Sequence, residues 1–294
     1  MMRLRDLLIA CTFVACASSP NEISPPVASA EATATVSAPV IEATASATAS
    51  SAPAKPSPSG KLVNDVVVSP AIKAIVDAKD RDKEDRALDE GRHPDKLLAF
   101  FDVKPGQRVA ELMAGGGYSA ELFARAVGPK GKVFGQNNKF VIEKFAEKPW
   151  AKRLAKPVNK GIVRVDRELE DPLPPEAKDL DAVFLILFYH DTVWLKTDRA
   201  KMNKAVFAAL KPGGVYAIID HTGRSGTGTS ESESLHRIEE KVVREEITDA
   251  GFVLAEEASF LRNSADTKDW SASPRTAAEK RGTSDRLVFK FVRP

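Results

Sequence analysis

Three regimes of apolar and polar residues succeed one another along the chain. Residues 7–15 form a short, mostly apolar run behind Arg3 and Arg5. Residues 17–60 hold no aromatic side chain and consist mostly of Ala, Ser, Thr and Pro. From about residue 61 onward, short apolar runs alternate with longer amphipathic stretches, as strands interleaved with helices do. Residues 108–113 (RVAELM) predict a short buried strand, 118–127 a helix closed by Gly128-Pro129, 132–136 a second strand and 162–165 a third. A helix over about 140–154 is interrupted near Pro149. Residues 180–188 (LDAVFLILF) are the most apolar run of this regime and predict the centre of a parallel sheet covered on both faces. A helix over 200–210, a turn at Lys211-Pro212-Gly213-Gly214 and a buried strand over 215–220 follow. Ser230-Glu231-Ser232-Glu233 fits a helix capping box, and Leu235, Ile238, Val242 and Val243 line one face of the helix it would open. Residues 252–261 and 285–292 predict the last strands, an antiparallel pair at one edge. An opening helical region over about 69–101 carries a charged run between Asp77 and Arg92, which reads as a solvated face. The alternation predicts an α/β fold, a mostly parallel sheet with helices on both faces.

The first regime reads as an address. Its apolar run suits a signal-peptide core and is too short to span a bilayer. It ends in Phe13-Val14-Ala15-Cys16, which resembles a bacterial lipobox, and the resemblance implies lipidation of Cys16. Leu8-Ile9-Ala10-Cys11 also fits, with almost no apolar core ahead of it. Residues 17–60 cannot bury enough apolar surface to offset their ordering entropy and predict a disordered tether. Ala17 and Ser18, with no Asp beside the cysteine, resemble the sorting pattern for the outer membrane. The expected organisation is a signal peptide over 1–16, a linker over 17–60 and one domain over 61–294. The expected location is the bacterial cell envelope, as a lipoprotein facing the periplasm whose only membrane contact is its lipid anchor.

Charge and cysteine content narrow the chemistry. The chain has 43 basic and 41 acidic side chains, a formal charge of +2. That balance argues against nucleic acid as a partner, since such proteins carry a basic excess. A small-molecule substrate is the expected partner. The only cysteines are Cys11 and Cys16. The folded part therefore has no disulfide, thiolate metal site or cysteine nucleophile.

The strongest motif is Glu111-Leu112-Met113-Ala114-Gly115-Gly116-Gly117, between the first predicted strand and its helix. Glycines let a ligand approach the backbone, and the helix N-terminus offers free N–H groups. Gly115-x-Gly117-x-x-Ala120 fits a dinucleotide fingerprint loosely. Glu111 followed by x-x-x-Gly-x-Gly resembles motif I of the class I S-adenosylmethionine methyltransferases. Lys211-Pro212-Gly213-Gly214 and Leu180-Asp181-Ala182-Val183 resemble two further signatures of that family. Leu187 to Asp191, Asp220-His221, Leu235 to Ile238 and Ser284 to Phe291 resemble its poorly characterised bacterial group of exported predicted methyltransferases. The resemblance implies a Rossmann-like class I sheet, S-adenosylmethionine as cofactor, and contacts to it from Glu111, Gly115, Gly116, Gly117 and Tyr118. The family ends its second strand in an acidic residue that holds the ribose; here the chain reads Phe134-Gly135-Gln136-Asn137-Asn138, so Asn137 takes that place. Asp166 and Glu168 both follow the third strand and are both candidates for the adenine side.

Two His–Asp pairs stand at predicted strand ends, Tyr189-His190-Asp191 and Asp220-His221. Methyl transfer to a hydroxyl or ammonium acceptor needs a proton acceptor, and imidazole titrates in the right range. His190 is the first candidate base and His221 the second, with Asp191 or Asp220 orienting a ring. A divalent metal held by Asp191, Asp220 and one His is a third reading. His236, on the predicted helix, faces either the cleft or solvent, and His93 before Pro94 suits a turn. Residues 222–229, rich in Gly, Ser and Thr, read as a lid or an ordinary loop. A binding protein on the same scaffold, without catalysis, is the alternative to an enzyme.

Overall fold

The computed structural model describes residues 59–294; the predicted signal peptide, the lipobox and the tether as far as residue 58 lie outside the described residues. Eight strands form one sheet: β1 (Lys61–Val63), β2 (Arg108–Leu112), β3 (Lys132–Asn137), β4 (Ile162–Asp166), β5 (Leu180–Ile186), β6 (Leu210–His221), β7 (Val253–Ala258) and β8 (Arg286–Val292). Their spatial order is β1-β7-β8-β6-β5-β2-β3-β4. Strands β2 to β6 are mutually parallel. Strand β8 enters antiparallel between β6 and β7. The direction of winding reverses between β2 and β5, the switch point of a Rossmann-like sheet. The antiparallel pairing of the last two strands holds, but β8 lies inside the sheet and the short β1 covers β7 at the edge.

Strand alternation divides the core in two. Val109, Val133, Phe184 and Ile219 face one side, where Leu98 and Phe123 of the Pro94–Phe100 and Tyr118–Val127 helices cover them. Ala110, Phe134, Leu185 and Ile218 face the other, under Val206 and Ile247 of the Arg199–Ala209 and Glu240–Asp249 helices. Phe123 stacks on Phe184 with ring centroids 4.1 Å apart. A strand covered on both faces has no polar side to present, which is why residues 180–186 read as a continuous apolar run.

Three local expectations change. Between Val141 and Glu147 the chain makes a π-helical turn, Ile142–Ala146, before the Glu147–Leu154 helix. Pro149 has no N–H to give the preceding turn, and the widened turn absorbs that loss. The helix expected from Ser230 begins only at Glu240. Upstream, Ser230 Oγ donates to Thr227 O, Glu231 is drawn to Arg224, and Ile238 bridges Thr222 in parallel. Residues 222–229 are thereby stitched to 231–239, with Gly223 N donating to Ile238 O and Gly228 N to Glu239 Oε2.

The charged run between Asp77 and Arg92 departs in part from a solvated face. It forms a chain of short helices with most of its charges exposed and a few turned inward. Arg81 and Asp85 are buried. Arg81 pairs with Asp89, and Asp80 takes both Nη atoms of Arg125. Arg153, on the Glu147–Leu154 helix, bonds both oxygens of Asp85, donates to Glu121 Oε2 (2.6 Å) and reaches Gly116 O through Nε (3.1 Å). Burial would raise the Glu121 carboxyl, but hydrogen bonds from Arg153, Arg125 and Lys156 override it and bring its pKa down to about 2. Charge density in a sequence does not say which way a helix turns its charges, and here the partners lie on two distant helices. His93 sits in the left-handed region (φ 44°) where one short helix hands over to the next, as a turn residue does.

Arg153→Ala leaves Asp85 buried without its counter-ion and takes from Glu121 one of its three cationic partners, and is expected to cost about 3–5 kcal/mol in urea denaturation. Arg164→Ala breaks only the exposed contacts to Glu147 and Asp166 and is expected to cost less than about 1 kcal/mol. Equal losses would show that the Arg153 cluster is solvated like any surface pair.

Candidate active site

Strands β2 to β6 end at one edge of the sheet, and most residues singled out in the sequence follow their last positions. The chain turns from β2 into the Tyr118–Val127 helix through Met113 (φ 54°), Gly115 (φ 56°) and Gly117 (φ 80°), all left-handed. Only glycine takes that region freely, so Met113 must be held there. Met113 N donates to Gln136 Oε1 (3.0 Å) and Ala114 N to Gln136 O (2.9 Å). Gly115 N donates to Asn137 Oδ1 (2.7 Å), and Asn137 Nδ2 returns to Gly115 O (3.2 Å). Gln136 and Asn137 are fully buried. The two amides at the end of β3 thus serve as splints for the glycine loop. Asn137, expected against the ribose, has both side-chain polar atoms engaged by Gly115.

The three glycines differ in what surrounds them. A Cβ on Gly117 would stand 2.2 Å from the Trp150 ring, and one on Gly135 of β3 would stand 2.6 Å from it. A Cβ on Gly116 would press on Pro149 at 3.3 Å. Gly115 alone of the three has nothing within 4 Å of that position. Gly117 is therefore demanded by the protein's own packing and Gly116 is tightly fitted, while Gly115 leaves its backbone open.

Glu111 lies beneath the loop, 4% exposed. Burial raises its carboxyl to about 8, even though the Ser119 hydroxyl and the Ala120 N–H both bond it and Arg92 is near. Its Oε2 is buried with no partner. Tyr118 turns away: its hydroxyl donates to Asp89 Oδ1 (2.6 Å) and Arg92 lies 4.4 Å from its ring centroid. Asp166 is held by Arg164 Nε (3.0 and 2.9 Å) at the outer strand. Glu168 reaches back to the end of β3, where its Oε1 accepts from Lys139 N (3.2 Å). The structure therefore gathers Glu111, Gly115, Asn137 and Glu168 around the ends of β2 and β3. Beside them it leaves Tyr118 hydrogen-bonded to Asp89 and Asp166 ion-paired to Arg164.

The histidines gather at the ends of β5 and β6. Asp220 is fully buried and organises them: its Oδ2 accepts from His190 N, its Oδ1 from His221 N, and Oδ1 also faces His190 Nδ1, each at 2.7 Å. His190 Nε2 then points to Asp191 Oδ1 (3.1 Å) and His236 Nδ1 (3.2 Å). Trp194 Nε1 donates to Asp191 Oδ1 (2.7 Å). Burial opposes charge on His190, but the carboxylates of Asp220 and Asp191 prevail and raise its pKa to about 10. His221 is shifted well below the ordinary value by burial, then by the charges of His190, Arg286 and Arg237. Its Nδ1 lies 2.7 Å from Ser284 Oγ. At neutral pH His190 already holds its proton and His221 is the free base, which reverses the order expected from the sequence.

Residues 259–285, between β7 and β8, lie over this edge. Ala272 N donates to Leu235 O, Arg237 pairs with Asp266 beneath Trp270, and Arg275 stands 4.5 Å from the Phe145 ring centroid. Phe140 meets both Phe145 and Trp194 edge-on, at 5.6 Å each. His236 and Ser284 are the site residues that periodicity could not assign. Both sit in irregular chain, and His236 is left-handed (φ 51°), so no helical or strand spacing ties either to His190.

No protein-family model matches the chain. Among solved structures it is similar to an S-adenosylmethionine-dependent methyltransferase from Aquifex aeolicus, with 19% identity over 71% of this chain and 97% of that one, TM-score 0.48. It is also similar to an S-adenosylmethionine-dependent O-methyltransferase from Thermotoga maritima, with 20% identity over 76% and 71% of the two chains, TM-score 0.42. An arsenic(III) S-adenosylmethionine methyltransferase from Chlamydomonas reinhardtii shows 16% identity over 76% and 73%, TM-score 0.47. At these identities and scores the likeness carries neither a family assignment nor a substrate.

The Glu111 carboxyl supplies a pH test. Its folded pKa of about 8 exceeds the unfolded value near 4.5, so the folded state binds the extra proton between the two. Stability is full below about 4.5 and falls as pH rises through 8, by up to about 1.4 kcal/mol per pH unit. Urea midpoints at pH 5 and pH 8.5 are expected to drop more for the wild type than for Glu111→Gln. Equal drops would mean that the carboxyl is ionised throughout.

Proposed function

We propose that this chain transfers a methyl group from S-adenosylmethionine to a small-molecule acceptor at the carboxyl edge of its sheet. The observation that carries the reading is the open backbone at Gly115 above a buried carboxyl oxygen of Glu111 that lacks a partner. Both lie where ligands bind a doubly wound sheet. A sulfonium donor supplies an electrophilic methyl group when bound. Glu111 offers its unpartnered Oε2 to the ammonium end of such a ligand, and Gly115 lets the chain of the ligand pass close to the backbone. Glu168, delivered from beyond β4 to the end of β3, stands in for the carboxylate that β3 itself lacks. His221, neutral and bonded to Ser284, accepts the proton of a hydroxyl or ammonium acceptor. Proximity and alignment supply much of the rate in a displacement of this kind.

The near-neutral charge supports a small acceptor over nucleic acid. The run ahead of Cys16 supports lipidation there, export to the envelope and membership of the exported group of predicted methyltransferases. The engagement of Asn137 and Tyr118 within the protein favours a second reading, a ligand-binding protein on this scaffold that performs no transfer.

Calorimetric titration of the full-length chain with S-adenosylmethionine and its demethylated product tests the donor. Micromolar binding is expected, weakened at least tenfold by Gly115→Val. Gly106→Val is the control: Gly106 is also left-handed (φ 86°) and open, but lies in a turn at the opposite end of β2. No binding at millimolar ligand by folded protein overturns the reading; binding with no turnover over an acceptor screen favours the second. Fatty-acid labelling and cell fractionation test the anchor, and Cys16→Ser is expected to abolish labelling and release the chain from the membrane fraction.

A further inference from the structure

Three ligand-type atoms meet at the ends of β5 and of the 229–239 segment. His190 Nε2 and Asp191 Oδ1 are 3.1 Å apart, His190 Nε2 and His236 Nδ1 3.2 Å, and His236 Nδ1 and Asp191 Oδ1 3.2 Å. The triangle is nearly equilateral. A cation with bonds of about 2.0–2.2 Å separates neighbouring ligand atoms by about 2.8–3.1 Å in octahedral and about 3.3–3.6 Å in tetrahedral geometry, and the three edges fall between these ranges. Without a cation, His190 Nε2–H donates within the triangle and Trp194 Nε1 bonds the same Asp191 oxygen; a bound cation would displace the His190 proton.

The surroundings fix each ligand. Asp220, fully buried, faces His190 Nδ1 at 2.7 Å and so aims Nε2 outward, the arrangement that orients histidine ligands in metal proteins. Trp194 sets the Asp191 oxygen. His236 is held left-handed because its neighbour Arg237 is fully buried and bonded to Asp266 and Thr222 O. Exposure rises across the triangle, from 2% at His190 to 14% at Asp191 and 25% at His236. One side is thus open to further ligands.

We propose that His190 Nε2, His236 Nδ1 and Asp191 Oδ1 form a three-ligand site for a divalent first-row transition cation. Asp220 positions the His190 ring, and open coordination places face solvent. Two imidazoles and one carboxylate suit zinc, iron(II) or cobalt(II) and do not suit calcium or magnesium, which prefer oxygen. The ligand set differs from the one the sequence offered: Asp220 stands behind a ligand, and His236 takes its place. The cation would polarise an oxygen or sulfur acceptor bound at the open places. The site stands on its own geometry and does not depend on the methyl donor.

The test uses the full-length protein, stripped with chelator and titrated with cobalt(II) at pH 7.5. One equivalent is expected to bind, giving visible d–d absorption that zinc(II) displaces. His236→Ala and Asp191→Asn are expected to lose that absorption, and Asp220→Asn to lower affinity about 10–100-fold. Absorption that persists unchanged in His236→Ala overturns the site and assigns the metal elsewhere, Cys11 and Cys16 included. No binding by the folded wild type overturns it too. Diethyl pyrocarbonate footprinting of the wild type decides the matter even where a variant fails to fold. One equivalent of zinc(II) is expected to protect His236 and leave His93 reactive, and an unprotected His236 sinks the proposal.

Discussion

The guanidinium of Arg153 ties its own helix to two distant parts of the chain, the charged arm and the glycine loop with its helix. It bonds Asp85 in the charged arm, Glu121 in the helix after the glycine loop, and the carbonyl of Gly116 inside the loop itself. A planar fork with five donors makes these four bonds; an ammonium group has only three donors. The same helix supplies Trp150, whose ring fills the space that side chains on Gly117 and Gly135 would need. The loop is therefore clamped from outside by Arg153, packed from below by Trp150 and splinted from β3 by Gln136 and Asn137. What remains open is the backbone at Gly115, and a ligand meeting it would find a surface already in shape. Pre-shaping of this kind removes an ordering cost from binding.

A parallel economy governs the histidines. Asp220 accepts two backbone N–H groups and faces one imidazole, so one buried carboxylate sets the positions of both His190 and His221. The two rings, with centroids 5.6 Å apart, are then pushed in opposite directions, one toward the imidazolium and the other toward the neutral base. Neighbouring titratable groups driven apart in this way divide the tasks of holding and taking a proton.

The sheet was legible in the sequence because strands buried on both faces have no alternative to continuous apolar runs, as in residues 180–186. The glycine loop was legible because left-handed turns select glycine. Three things were hidden for physical reasons. The inward-facing charges of residues 80–89 depend on Arg125 and Arg153, more than thirty residues away. Ser230 to Glu233 satisfies a capping pattern, yet Arg224 takes the Glu231 carboxylate and the Arg237 carbonyl takes the Ser232 hydroxyl, so neither side chain caps a helix. Asn137 looked like a ligand-facing residue because it takes the place of the ribose-holding acidic residue in the family the motifs resemble; its commitment to Gly115 joins the end of β3 to the loop after β2, which no spacing within one strand encodes.

Residues 259–285 leave the sheet at β7 and return to it at β8, its immediate neighbour. The two ends of the segment are held together by strand pairing whatever its length. Closing such a loop costs free energy that grows only with the logarithm of its length. No strand register depends on its interior, although it carries Asp266, Arg275 and Ser284 over the strand ends. This part of the chain can thus be lengthened, cut or exchanged between relatives while the clamp on the glycine loop stays as it is. In evolutionary terms the molecule is a fixed press with an interchangeable die, and the die is encoded in one uninterrupted stretch.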